Sequence, residues 1–204
     1  EHAAAADGVT VRLFVAIELD DAARTAMGRE QRRLAKLLRG AGDDGGLRLV
    51  PEAQMHLTLV FLGEVADDMA HAVETALAPA VPVAPYHLRL GGVGVFPARG
   101  NPRVLWLGVL DGDAPTREVY ADVAGRVARA GVVVESRPYS PHLTLGRWRA
   151  GRPRHRDAVT GAPPAGRPSV VADVAVDRVT LFVSRLSSAG AVHTPLLTSP
   201  LQCP

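Results

Sequence analysis

Cysteine is almost missing from this chain. Cys203 is the only one in 204 residues, so no disulfide can close within it and no multi-thiolate zinc module can be built. That scarcity suits a reducing cytoplasm, which is the expected location. Lysine is almost missing too: Lys36 stands alone among 23 basic residues, the rest being arginine. A GC-rich coding sequence would explain this, together with the many Ala, Gly and Pro. Arginine also grips phosphate with two parallel bonds where lysine offers a point charge. Composition does not separate the two; position does. No apolar run is long enough to span a bilayer, and the first residues lack a basic-then-apolar leader pattern, so neither a membrane segment nor a signal is expected. Residues 1–8 are set aside as a tail. Net charge is only +2, and 47% hydrophobic with 22% charged residues is ordinary for a globular protein. The length fits one domain, or two intimate lobes.

What is present is a repeat. Met55-His56-Leu57-Thr58-Leu59-Val60 and Pro141-His142-Leu143-Thr144-Leu145-Gly146 each read His-Leu-Thr-Leu within an apolar, strand-forming run. Side chains alternate along a strand. His56 and Thr58 therefore share one face, with Leu57 and Leu59 on the core face; His142 and Thr144 are set against Leu143 and Leu145 in the same way. One such strand means little. Two suggest similar halves facing each other, with two His and two Thr converging.

The surroundings of the two motifs also correspond. Val9 to Leu19 reads as a strand buried on both faces near its middle. Asp20 or Asp21 caps a helix with Met27, Leu34, Leu37 and Leu38 on its apolar stripe, ending at Gly40. A short strand at 47–50 precedes the first motif. Asp67 or Asp68 caps a second helix with Met69, Val73 and Leu77 inward. Strands are expected at 86–95 and 103–110, then a helix from Asp113 to Gly131 with Val119, Val123 and Val127 on one face. A short strand at 132–135 precedes the second motif, so helix, short strand and His-Leu-Thr-Leu strand occur twice. Residues 148–168 read as a long Arg-, Pro- and Gly-rich loop, and 173–184 and 191–197 as two final strands. Strands and helices mixed without strict alternation indicate an α+β protein with mainly antiparallel sheet.

Two imidazoles and two hydroxyls fit the cleavage of a phosphodiester. One neutral imidazole takes a proton from water, one protonated imidazole gives a proton to the leaving oxygen, and both states coexist near neutral pH. In-line attack puts them on opposite sides of phosphorus, with ring nitrogens roughly 5–8 Å apart. The threonines donate to the non-bridging oxygens. Arg147 lies five residues beyond His142, on the wrong face under strict alternation, unless a bulge near Gly146 turns it back.

The chain resembles the 2H phosphoesterases, specifically the bacterial and archaeal RNA 2′,3′-cyclic phosphodiesterases, also called 2′-5′ RNA ligase-like or LigT-like proteins. The resemblance runs through Arg12 to Leu19, His56 to Val65, Phe96-Pro97, Pro102 to Leu107, Pro141 to Arg147, Leu181 to Leu186 and Gly190. It implies a bilobal fold over residues 9–200, two pseudo-symmetric lobes each with a mainly antiparallel sheet and flanking helices around a central cleft. It implies hydrolysis of RNA 2′,3′-cyclic phosphate ends to 2′-phosphates. From the residues themselves no metal or cofactor is expected, nothing demands a partner chain and a monomer is expected. Weak reverse 2′-5′ ligation is expected because an acid–base pair works in both directions. By that likeness His142 is the proton acceptor and His56 the proton donor. Thr58, Thr144 and Arg147 hold the phosphate, and Phe14 meets a base. The alternative is a binding module for nucleotides or RNA without turnover. Three departures from the family pattern stand out: Arg48-Leu49 where an aromatic often precedes the first motif, His193 where a tyrosine is common, and prolines in the usually helical region after the second motif.

The other candidates carry less. His2, His71, His87, His155 and His193 read as structural or solvated, and Trp106 as core. No carboxylate or third His stands at ligand spacing near either motif. Gly91-Gly92-Val93-Gly94 is followed by strand residues rather than a helix, so it is no dinucleotide signature. Arg147, Arg149, Arg152, Arg154 and Arg156 form either a solvated loop or an electrostatic guide for RNA.

Overall fold

The structure, a computed structural model, describes residues 10–42, 46–149, 169–187 and 190–203. The tail at 1–8 and Arg152, Arg154, His155 and Arg156 lie outside the described residues. In chain order the elements are β1 (Thr10–Glu18), α1 (Asp21–Gly40), β2 (Leu47–Leu49), a 3₁₀ turn (Glu52–Gln54), β3 (His56–Ala66), α2 (Asp67–Leu77), β4 (Tyr86–Phe96), β5 (Val104–Asp111), α3 (Asp113–Arg129), β6 (His142–Trp148), β7 (Val170–Val176), β8 (Arg178–Ser187) and β9 (Gly190–Pro200).

The strands form one antiparallel sheet in the order β7-β4-β5-β6-β3-β1-β8-β9, with β2 also paired to β6. It has two halves. β3-β1-β8-β9 makes one and β6-β5-β4-β7 the other, and they are joined where β3 meets β6 at the single pair Leu57↔Leu143. The expected separate sheets are thus continuous, through one residue of each motif. The core lies on the face of those leucines. Leu13, Val15 and Ile17 of β1, Leu107 of β5, and Met27, Val73 and Val123 of the three helices all belong to one buried cluster. All three helices cover that face. The opposite face carries a small buried apolar cluster of Phe14, Ala16 and Phe182, and there the site forms.

Local chemistry explains most boundaries. Asp20 caps α1, its carboxylate accepting from Ala23 N at 2.7 Å. Gly131, at φ 97°, takes the left-handed turn just past α3. Buried Gln31 of α1 donates to the carbonyls of Val50 (2.8 Å) and Leu145 (2.7 Å), tying the helix to β6.

Four expectations need correction. Residues 132–135 form no strand; the segment after α3 is irregular, and Tyr139 anchors it by donating to Thr58 O at 3.0 Å. The second half therefore lacks the counterpart of β2. The stretch 173–184 is not one strand: Asp177 breaks it into β7, which pairs with β4, and β8, which pairs with β1 in the other half of the sheet. The residue preceding α2 is Ala66, without a side-chain cap; Asp67 and Asp68 sit inside the first turn, where carboxylates favour the helix dipole. Leu37 is largely exposed rather than on the buried stripe of α1.

Candidate active site

The register around Leu57↔Leu143 generates the site. In an antiparallel pair, directly opposite residues share a face. With those leucines on the core face, His56 comes opposite Thr144 and Thr58 opposite His142 on the other. Each histidine then lies diagonally from the other, a spacing of about 7–8 Å between backbone positions with the Cβ atoms somewhat closer. The two motifs thus supply four polar groups related by a local two-fold through the leucine pair.

Both rings are held in the same way. His56 Nδ1 donates to Gln54 O at 2.7 Å, and His142 Nδ1 donates to Ser140 O at 2.7 Å, each to the carbonyl two residues earlier. A carbonyl only accepts, so each neutral ring carries its proton on Nδ1. Each Nε2 keeps its lone pair for other chemistry.

A bulge repeats as well. Thr58 faces Ala16 and Val60 faces Val15, skipping Leu59; Thr144 faces Trp106 and Gly146 faces Leu105, skipping Leu145. Each strand gains a residue just after its threonine, so the fifth residue past each histidine returns to the histidine face. In the first half this is Phe61, 52% exposed, with the Arg12 guanidinium 5.0 Å from its ring centroid. In the second it is Arg147, exposed and directly opposite Arg48 of β2. Two guanidinium groups set opposite each other are unfavourable unless an anion joins them. Neither has an ion pair among the described residues.

The electrostatics follow from burial in a cationic setting. His56 is pulled down from 6.5 to about 4, chiefly by loss of solvent, against the Gln54 hydrogen bond and with help from His193, Arg147 and Arg24. His142 is lowered for the same first reason, and again Arg147 adds to the effect. One guanidinium is felt by both rings. At neutral pH, without ligand, both imidazoles are unprotonated.

Aromatic rings surround the histidines unevenly. Phe14 is 3% exposed; its ring stacks on His56 at 4.7 Å and on Phe182 at 5.1 Å, with His193 edge-on at 4.9 Å. Its ring is the seat of His56. Trp106 is not core. It lies half-buried opposite Thr144, 5.0 Å from Phe96 and 6.1 Å from His142, because the cross-strand pairing places it on the histidine face. His193, read as structural or solvated, stands 5.6 Å from His56 and nearly perpendicular to it. Its own proton affinity is lowered by burial and by Arg12. Arg24, on the first turn of α1, was unmarked in the sequence: nothing in a helical arginine near an Asp-Asp cap announces that its charge reaches His56. Among the described residues no group of three or more His, Cys, Asp or Glu could hold a metal ion.

Residues 26–187 match the 2′-5′ RNA ligase superfamily. The chain belongs to that superfamily. An RNA 2′,3′-cyclic phosphodiesterase of Archaeoglobus fulgidus is 32% identical over 73% of this chain and 79% of its own length. Another, of Methanothermobacter thermautotrophicus, is 30% identical over 91% of this chain and 96% of its own. The apo crystal structure of E. coli LigT superposes with a TM-score of 0.71 at 27% identity, covering 94% of this chain and 98% of that one. The LigT-like α+β fold is therefore that of the present superfamily member, and the paired motifs fall where β3 and β6 meet. Among the described residues no helix is long and apolar enough to cross a membrane.

Proposed function

We propose that this superfamily member hydrolyses RNA 2′,3′-cyclic phosphate ends, and the corresponding cyclic nucleotides, to 2′-phosphates, with residues 9–200 acting as one catalytic unit in a reducing cytoplasm. One observation carries the reading: two imidazoles with the same tautomer, each with Nδ1 tied to a carbonyl and Nε2 open, related by the Leu57↔Leu143 register on one face. The names of the relatives support the substrate.

The anion sits among Thr58, Thr144 and Arg147. The hydroxyls donate to its non-bridging oxygens, where charge grows in the transition state, each such contact contributing roughly 2–4 kcal/mol. His142 Nε2 takes a proton from water as its oxygen bonds to phosphorus. His56, protonated once the anion has raised its proton affinity, gives the Nε2 proton to the departing 3′ oxygen. The 2′ ester remains. Charge stabilisation comes from hydroxyl and guanidinium groups, so no metal is required in this scheme. The same pair, in the same roles, gives ligation when a 5′-hydroxyl replaces water: its proton goes to His142, O5′ bonds to phosphorus, the bond to O3′ breaks, and O3′ takes the His56 proton, leaving a 2′-5′ link.

A binding module would need the cationic seat but not two matched, oppositely placed imidazoles. Turnover of a nucleoside 2′,3′-cyclic phosphate in EDTA, with the product identified as the 2′-phosphate, is the expected result. Loss of turnover on chelation would overturn the metal-independent scheme, and binding without turnover would favour the module.

A further inference from the structure

The two halves of the site carry similar polar groups but different aromatic surfaces. On the His56 side, Phe14 and Phe182 are 3% and 7% exposed and cover each other and His56. On the His142 side, Phe96 and Trp106 are both half-buried, with the phenyl ring 4.9 Å from His142 and 5.0 Å from the indole. The indole lies against the sheet. A Cβ built on Gly94, its cross-strand neighbour, would fall 2.1 Å from the ring, and one on Gly108 would fall 3.3 Å from it. Two glycines thus let the indole lie close over backbone beside Thr144, its cross-strand partner on β6. An aromatic ring backed by backbone, partly open, and next to an anion seat offers a stacking surface that accepts any base.

We propose that Trp106, backed by Phe96, is a stacking platform for the base of a second nucleoside, bound on the His142 side of the phosphorus. This rests on the assignment of His142 as the proton acceptor. A hydroxyl of that nucleoside then lies where the attacking water stands, beside His142 Nε2. The terminal nucleoside, whose O3′ departs toward His56, occupies the other side. The site holds two nucleosides about one phosphate.

Two measurements test this on the full chain. The protein has two tryptophans, and Trp148 is buried in the core. In a Trp148→Phe variant, Trp106 becomes the sole reporter. Titration with adenosine, in the presence of inorganic phosphate to fill the anion seat, is expected to change its fluorescence saturably; Phe96→Ala on the same background weakens that binding several-fold. In the second measurement, adenosine is expected to inhibit hydrolysis of cytidine 2′,3′-cyclic phosphate non-competitively, with an inhibition constant raised about ten-fold by Trp106→Ala and largely kept by Trp106→Phe. Competitive inhibition would overturn the proposal, because the platform would then belong to the terminal base. So would an unresponsive indole, or equal inhibition of the Ala and Phe variants. A chain that turns over no cyclic nucleotide while its indole still reports saturable adenosine binding would instead defeat the hydrolytic reading and leave the platform standing.

Discussion

Anion binding to this site should take up a proton, and the size of the effect follows from the geometry. Without ligand, His56 titrates at about 4, held down by burial and by neighbouring cations. A phosphate-like anion about 4 Å from the ring interacts with its protonated form by about 4 kcal/mol at an effective dielectric constant near 20. That is about 3 pKa units, which returns His56 to about 7 in the complex. Between about 4 and about 7, binding therefore carries close to one proton onto His56, and the dissociation constant should rise about ten-fold per pH unit across that window. Sulfate is the suitable probe because it does not titrate there. Isothermal calorimetry at about pH 5.5, in two buffers of different ionisation enthalpy, measures the uptake directly. His142, also lowered, adds to the total, so the His56 share is the difference between the wild-type protein and His56→Ala. A difference near zero, or sulfate affinity that is flat between pH 5 and 7, would refute the claim that the anion sits beside His56.

Other expectations follow from the same residues. Replacing either His56 or His142 with alanine should lower kcat for a cyclic nucleotide by about 10²–10⁴-fold, measured with EDTA present. Stability should fall on acidification: the folded His56 resists protonation, so its contribution is complete above the unfolded value of 6.5 and is lost as pH drops toward about 4. The loss amounts to about 3 kcal/mol, visible as a urea midpoint that His56→Ala makes less pH-dependent. Gln31→Leu should destabilise by about 1–3 kcal/mol in the same assay, because the Val50 carbonyl loses its buried donor. His193→Phe keeps a ring beside Phe14 but removes the neighbouring titratable charge, so the NMR-monitored pKa of His56 should move up; an unchanged value would show that His193 acts by packing alone.

The histidine face was legible in the sequence because period-two alternation is a local property: His56 with Thr58, and His142 with Thr144, needed no tertiary information to share a side. The strand core of β1 and the inward face of α3 were legible for the same reason. What failed depended on partners distant in sequence. Asp177 sits inside an apolar run, and only the two different strands that β7 and β8 pair with reveal that it ends one and begins another. Trp106 is flanked by leucines, and its face is set by pairing with Thr144 across a bulge. That Phe14 packs against Phe182 and His193, some 170 residues later, is likewise not readable from its own strand. Arg147 was placed conditionally, and the skipped Leu145 supplies the needed change of face.

The claim that two imidazoles act from opposite sides of one phosphorus is tested most directly by changing the leaving atom. In a 2′,3′-cyclic phosphorothiolate with sulfur at the 3′ position, the leaving group departs without a proton. His56→Ala should then hydrolyse it at a rate close to that of the wild-type protein, while His142→Ala remains impaired by about 10²-fold or more. Equal impairment of both variants on the sulfur substrate, or rescue of His142→Ala instead, would contradict the assignment of the two rings.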